Sequence, residues 1–434
     1  MLCSNLAVDE RGRLTFAGAL PRDLVERFGS PLYVMDEDRI RAMCRAYKSA
    51  MAAAFGEKAL PLYASKACCF TQMFRIIAEE GLGADVVSAG EIATAVNAGF
   101  DLSRVFFHGN SKTDEELRFA LTAGVGSIVV DGVDELHALA RILSAEFPGR
   151  RQRILLRVTP GIDPHTYAEV STGQVDSKFG VAVETGQAMD FVREALSLPV
   201  LDLAGFHCHV GSQVHDADVF IRSAEKMLSF IETVRRETGY TPEFLDLGGG
   251  YGVKYRENDP ALDLFRSIGE IGAFLRRRCE ELGLPMPAVL LEPGRSIVAE
   301  AGLTLYTVNA VKRIPGCKNY VSVDGGMGDN PRYALYEAPY TVVMPERMHD
   351  QAGALYDVVG KYCESGDVIQ PAVALPAEIR RGELIAVLTT GAYNYSMASH
   401  YNRVPKPAVV MLRGGEAYLA VRRETPADLL AFDL

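Results

Sequence analysis

The chain has 434 residues, 48% of them hydrophobic, and a formal net charge of −11 at pH 7. That is enough apolar material for two domains, or for one barrel plus a second module, and the negative balance argues against a nucleic-acid or anionic-membrane partner. Eight cysteines without a CxxC pair do not make a disulfide framework, residues 1–10 lack a basic region followed by an apolar core, and no apolar run approaches the ~20 residues that span a bilayer; a cytoplasmic chain with free thiols is expected.

Taken in order, residues 13–16 and 32–35 read as short strands. From residue 60 an apolar strand of about five residues recurs, each followed by an amphipathic helix. The strands are expected at 60–64, 84–88, 105–109, 127–131, 154–159, 204–210, 244–247 and 288–291. The clearest helices are expected at 70–80, 91–98, 114–123, 133–146, 185–196, 218–238 and 262–282. Eight evenly spaced units predict a parallel (β/α)8 barrel rather than an open doubly wound sheet. The strands are apolar on both faces, as a covered parallel sheet requires. After about residue 300 strands alternate with Gly, Pro and Asn turns, at 304–312, 320–324, 356–360, 384–389, 408–412 and 417–421. The expected organisation is a barrel over 38–299, inserted between residues 1–37 and 300–434 of an all-β domain.

Active-site groups of such barrels stand just past the C-terminal ends of the strands. The first strand stops on Lys66. A desolvated lysine loses its proton more readily and can form a Schiff base with a carbonyl; a lysine snorkelling to solvent is the ordinary alternative. The second strand carries Asp85 and Ser88, followed by Glu91. The third ends His108-Gly-Asn-Ser-Lys112, and the fifth carries Arg157. The sixth runs into His207-Cys-His209-Val-Gly-Ser212. The two histidines share a face, yet no third metal ligand at useful spacing is evident, so no metal is expected. The seventh opens into Gly248-Gly249-Gly250-Tyr-Gly252. Glycines let the backbone approach an anion, and barrels often hold phosphate at that loop and a helix N-terminus. Neither a GxGxxG spacing nor a Gly-Lys-Ser/Thr loop is present, and Arg295 and Ser212 favour phosphate over a plain tight turn. The eighth strand ends Glu292-Pro-Gly294-Arg295. A carboxylate there can hold a pyridine nitrogen protonated, or pair structurally with Arg295.

At this point the chain resembles a known family. Tyr63-Ala-Ser-Lys66-Ala, Thr172-Gly-Gln-Val-Asp-Ser-Lys178-Phe-Gly180, His207-Cys-His209-Val-Gly-Ser-Gln213, Asp246-Leu-Gly-Gly-Gly-Tyr-Gly252 and Glu292-Pro-Gly-Arg295 are similar to pyridoxal-phosphate decarboxylases of the alanine-racemase-type fold. Asp324-Gly-Gly-Met, Asn330-Pro-Arg332-Tyr-Ala-Leu-Tyr336, Cys363-Glu364-Ser-Gly-Asp367 and Gly391-Ala-Tyr393-Asn-Tyr-Ser-Met-Ala-Ser-His-Tyr401-Asn402 narrow the likeness to the diaminopimelate decarboxylases, over about residues 30–410. The resemblance implies pyridoxal 5'-phosphate as cofactor, with Lys66 as its covalent anchor. It implies that His209 stacks on the ring and that Glu292 pairs with the ring nitrogen. Ser212, Gly248 to Gly250, Gly294, Arg295 and Tyr393 would hold the phosphate; Asp85 and Arg157 would orient the lysine and the cofactor face. Cys363 would protonate the carbanion from the partner subunit of a homodimer. The small-molecule substrate would be meso-2,6-diaminopimelate, giving L-lysine and carbon dioxide. Its distal carboxylate would be met by Arg332, Tyr336 and Arg295, with Tyr393 also lining the substrate, and its distal ammonium by Glu364. Decarboxylases of ornithine, arginine or carboxynorspermidine are the alternative; those substrates leave Arg332 without a far carboxylate.

Overall fold

The computed structural model describes residues 2–162 and 177–434. Positions 172–176 of the resembling segment, whose closure over a substrate the sequence leaves open, lie outside the described residues. The chain divides into two compact units: Met43–Gly252 with Ala261–Ser296, and Met1–Ala42 with Val253–Pro260 and Ile297–Leu434.

In the first unit, eight parallel strands among the described residues close into a ring. They are Leu60–Ala64, Gly83–Val86, Val105–Phe107, Ser127–Val130, Gln152–Thr159, Leu201–His207, Phe244–Asp246 and Ala288–Leu291. Each pairs with the next, and the eighth pairs with the first. The expected strands at 60–64 and 288–291 coincide with the observed ones. Several of the others overrun the observed C-terminal ends by one to three residues. The overrun residues include Ser88, His108, Asp131 and His209, polar groups that leave the ladder as the chain turns into a loop. A layer of Leu62, Phe106, Val129, Leu155, Ala204 and Leu290 fills the barrel. Side chains two residues apart on a strand share a face, so the same inward rows continue to His108, Asp131, Arg157 and Glu292. Thus the barrel packs itself apolar below and polar above. Gly205 permits one close approach within it, since a Cβ there would meet the Phe244 carbonyl oxygen at 2.2 Å.

Helices cover the ring. Asp114–Ala123 starts on a capping box in which Thr113 and Glu116 satisfy each other's backbone amides, and it stops at Gly124, φ 84°. Two of the helices that escaped the sequence reading precede the first barrel strand. Pro21–Phe28 opens on a proline, a good first helical position. Glu37–Phe55 is longer, and its signal was present: Ile40, Cys44, Tyr47 and Met51 recur every three or four residues and are buried.

The second unit is mostly β. Gly302–Arg313 is its central strand, antiparallel to Leu32–Asp36, Asn319–Val323 and Leu384–Leu388. Leu32–Asp36 also pairs in parallel with Ala408–Arg413. The strand Val368–Leu375 was not expected. Pro371 in its middle cannot donate to a ladder, and the strand accordingly lies at a sheet edge. Leu14, Phe16, Leu32, Val34, Leu303, Leu305, Val410 and Leu412 belong to the core of this unit. Among the described residues no helix is long and apolar enough to cross a membrane.

Candidate active site

Lys66 sits in a single helical turn, Ser65–Ala67, directly after the first barrel strand, and is half-buried. Its neighbours hold that turn in place. Ser65 donates to Glu91 at 2.7 Å, Glu91 also accepts from the Val87 amide at 2.7 Å, and the Ala64 amide donates to the Pro293 carbonyl at 3.1 Å. The lysine charge acts on Asp85, Glu91 and His209. Burial, then the charge of Glu292, push the Asp85 carboxyl well above its ordinary value.

His209 presents a neutral ring. Burial, then the charge of Lys66, push its pKa down to about 3. Its Nδ1 accepts from the Gly249 amide at 3.3 Å, which fixes the plane of the imidazole. The glycine run fits closely around this ring. A Cβ on Gly248 would meet His209 Nδ1 at 2.7 Å, one on Gly249 the Glu292 carbonyl oxygen at 2.0 Å, and one on Gly250 the Gly211 carbonyl oxygen at 2.0 Å. The run does not open a helix, contrary to the expectation of a helix N-terminus, because the next helix begins only at Leu264. Two of its amides are already engaged, Gly248 with Asp246 at 2.9 Å and Gly249 with His209. Beside the loop, buried Arg295 donates to the Ser212 hydroxyl at 3.0 Å. Arg157 stacks over the Phe179 ring, 4.3 Å from its centroid, and lies 3.9 Å from Asp131.

Glu292 is buried, and its amide donates to the Gly248 carbonyl at 2.9 Å. Its Oε1 lies 3.2 Å from His108 Nε2 and 3.1 Å from His207 Nε2. Burial pushes this carboxyl up, but His108 and His207 beside it outweigh that and hold it well below the usual range. Asp246 faces it as well; burial and the charge of Glu292 drive the Asp246 carboxyl up. His207, which shares a strand face with His209, finds its neighbours in His108 and Glu292, which arrive from other strands. Lys112, whose motif had no assigned role, is buried and anchors the loop after the third strand. Its Nζ donates to Glu135 at 2.7 Å and to the Gly109 and Val129 carbonyls at 2.9 and 2.8 Å.

Within the β unit, Arg332 and Tyr393 come together. The Arg332 guanidinium lies 6.0 Å from the Tyr393 ring centroid. It donates to the Tyr255 hydroxyl at 3.1 Å and to the Tyr340 hydroxyl at 2.9 Å, and no carboxylate pairs with it among the described residues. Tyr336, at the other end of the same short helix, is half-buried and is not one of these partners. Tyr255 and Tyr340 were missed, although Tyr255 follows the glycine run by only a few residues. Tyr393 adopts φ 65°, a left-handed conformation unusual for a bulky residue and common where function requires it. Cys363 and Glu364 are exposed, on a loop held by buried Asp367, which accepts from the Met327 and Tyr362 amides at 2.6 and 2.8 Å.

The barrel residues suit pyridoxal phosphate. Glu292 Oε1 and Asp85 Oδ1 are buried without a hydrogen-bond partner, a costly state unless a ligand supplies one. A neutral flat imidazole, a loop that excludes side chains, and an arginine–serine pair complete the complement. Residues 37–299 match the family described as "Pyridoxal-dependent decarboxylase, pyridoxal binding domain", which sets the class. Diaminopimelate decarboxylase of Bacillus subtilis is 43% identical over 98% of this chain and 96% of its own length. That of Halalkalibacterium halodurans is 41% identical over 98% and 96%. The crystal structure of diaminopimelate decarboxylase from M. jannaschii in complex with L-lysine superposes with a TM-score of 0.90 at 32% identity, covering 99% of this chain and 98% of that one. The chain belongs to the diaminopimelate decarboxylase family.

Proposed function

We propose that this enzyme removes the D-centre carboxylate of meso-2,6-diaminopimelate and releases L-lysine and carbon dioxide. The observation that carries the substrate is Arg332, a buried guanidinium held by two phenols with no carboxylate of its own among the described residues. An arginine stays charged when buried, so this site answers a substrate anion, as the distal carboxylate of diaminopimelate provides. Glu364 answers the distal ammonium, and Tyr336 and Tyr393 line the same substrate.

Pyridoxal 5'-phosphate, when bound, supplies the electron sink for the pair left by the departing carboxylate. The chain's own groups do the rest. Lys66 Nζ, in the turn after the first strand, would hold the cofactor covalently. Glu292, kept anionic, would pair with the pyridine nitrogen, and neutral His209 would line the ring without adding charge. Arg295 and Ser212, with the backbone from Gly248 to Gly250 and at Gly294 and with Tyr393, hold the phosphate. Asp85 and Arg157 orient the lysine and the cofactor face. Cys363 donates the proton to the α-carbon. Its exposure supports delivery from the second subunit of a homodimer, where the loop that carries it would reach the neighbouring site.

The test is carbon dioxide release from meso-diaminopimelate, ornithine, arginine and carboxynorspermidine, each with and without added pyridoxal phosphate. Turnover of diaminopimelate alone, dependent on the cofactor, is expected; faster turnover of ornithine or arginine would refute the substrate assignment.

A further inference from the structure

At the polar end of the barrel, three buried side chains from the ends of separate strands meet at one atom. His108 and His207 both bring Nε2 to within 3.2 Å of Glu292 Oε1, and their rings meet edge to face at 4.9 Å. None of the three is more than 5% exposed. At 3.1 and 3.2 Å, His207 Nε2 and His108 Nε2 both stand within donor reach of Glu292 Oε1. We propose that His108 and His207 are positioning residues, which turn the Glu292 carboxylate toward the pyridine nitrogen of the cofactor and keep it charged. This rests on the reading that Glu292 faces that nitrogen.

The argument is electrostatic and geometric. A buried carboxylate is driven neutral unless donors stabilise its anion. Two imidazole N–H groups are such donors, and a neutral imidazole supplies one without placing a second cation beside the pyridinium. Burial favours the neutral form of both histidines. The other charged or titratable groups acting on this cluster include Lys66, Asp85, Asp131, Arg157, Cys208, His209 and Asp246. Asp85 stands 3.8 Å from His108 Nε2. None of these replaces an N–H donor at Glu292 Oε1. The three converging atoms, all within 4.8 Å of one another, are also a grouping that could hold a metal ion, so the test must separate donor from ligand.

The holoenzyme is loaded with cofactor labelled with nitrogen-15 in the ring, and the shift of that nitrogen is followed against pH in His207→Phe, His108→Phe, His207→Gln and Glu292→Gln. Each phenylalanine keeps a flat ring and removes the donor. It should lower the pH at which the ring nitrogen loses its proton by about one unit or more. Glutamine retains an N–H and should restore most of that loss. Unmoved titrations in both phenylalanine variants overturn the proposal. So does a glutamine variant displaced as far as phenylalanine, which would mean that only shape matters. One bound zinc per chain in the wild type, lost in His207→Phe, assigns a metal site instead. If neither phenylalanine variant retains cofactor, His207→Gln decides: a titration near wild type supports the proposal, and one matching Glu292→Gln ends it. Should Glu292→Gln itself leave the nitrogen unchanged, the placement of Glu292 is what fails.

Discussion

Lys66 and Arg332 are single side chains with separable duties. If Lys66 is the covalent anchor of the cofactor, Lys66→Ala removes it. The visible band of covalently held cofactor and carbon dioxide release should both vanish, while far-ultraviolet dichroism stays unchanged; an active alanine variant would dismiss the assignment. If Arg332 answers the distal carboxylate, Arg332→Ala leaves two buried phenols facing it with no cation. The usual cost of an unpaired buried charge predicts a fall in kcat/KM of roughly a hundredfold or more. Because the hydrogen bonds of Arg332 run to the Tyr255 and Tyr340 hydroxyls, the loss should fall on substrate recognition more than on cofactor affinity. Intact diaminopimelate turnover in that variant would remove Arg332 from substrate recognition.

At the scale of elements, the glycine run after the seventh strand is constrained by what surrounds it. A Cβ at Gly249 would stand 2.0 Å from the carbonyl of Glu292, and backbone cannot yield cheaply there. Gly249→Ala is therefore expected to weaken pyridoxal phosphate binding at least tenfold, read by titrating the apoenzyme, on the general cost of about 1–3 kcal/mol for crowding a packed site. Gly269 offers the opposite case within a helix. It lies in Leu264–Leu282 with no atom near its Cβ position, so Gly269→Ala should raise Tm by removing a flexible residue worth about 0.5–1 kcal/mol. An unchanged cofactor affinity in the first variant would show that the loop has room to shift.

For the molecule as a whole, two measurements follow from charge and assembly. Buried Asp329 accepts from the Gly326 amide at 3.0 Å and from the Tyr306 hydroxyl. Burial raises its carboxyl from 3.8 to about 7. Between those values the folded protein holds a proton that the unfolded chain has released. Its contribution is thus fully present below the unfolded value and is lost as pH rises through 7. Asp329→Asn should flatten the decline of unfolding free energy between about pH 4 and 7 measured in urea; parallel profiles would exclude this group as a cause. The second measurement mixes inactive Lys66→Ala and Cys363→Ala chains after dissociation. If Cys363 serves the other subunit, half of the pairs are mixed and each has one intact site, so about a quarter of wild-type activity should return. Activity that stays at the level of the separate variants would place Cys363 outside a shared site.

Reading outward from local pattern to global pairing shows where legibility ends. The eight strand–helix units were plain because buried parallel strands are short apolar runs with turn signals between them, and period and length survive in one dimension. Lys66, Glu292 and the triple glycine were visible because each stands at a strand end, where a charged or strain-tolerant residue conflicts with its apolar surroundings. Strand 368–375 was hidden by Pro371, tolerated only because that strand is an edge. The meeting of His108, His207 and Glu292 and the grip of Tyr255 on Arg332 could not be read along the chain. Each joins residues that are distant in sequence, and the distance between two side chains is set by barrel closure and strand register. Sequence alone thus determined which chemistry is present and in what order it is strung. Only the tertiary structure decided which of those groups share an oxygen atom, because burial and proximity, the two causes of every shifted charge here, do not exist until the chain has folded.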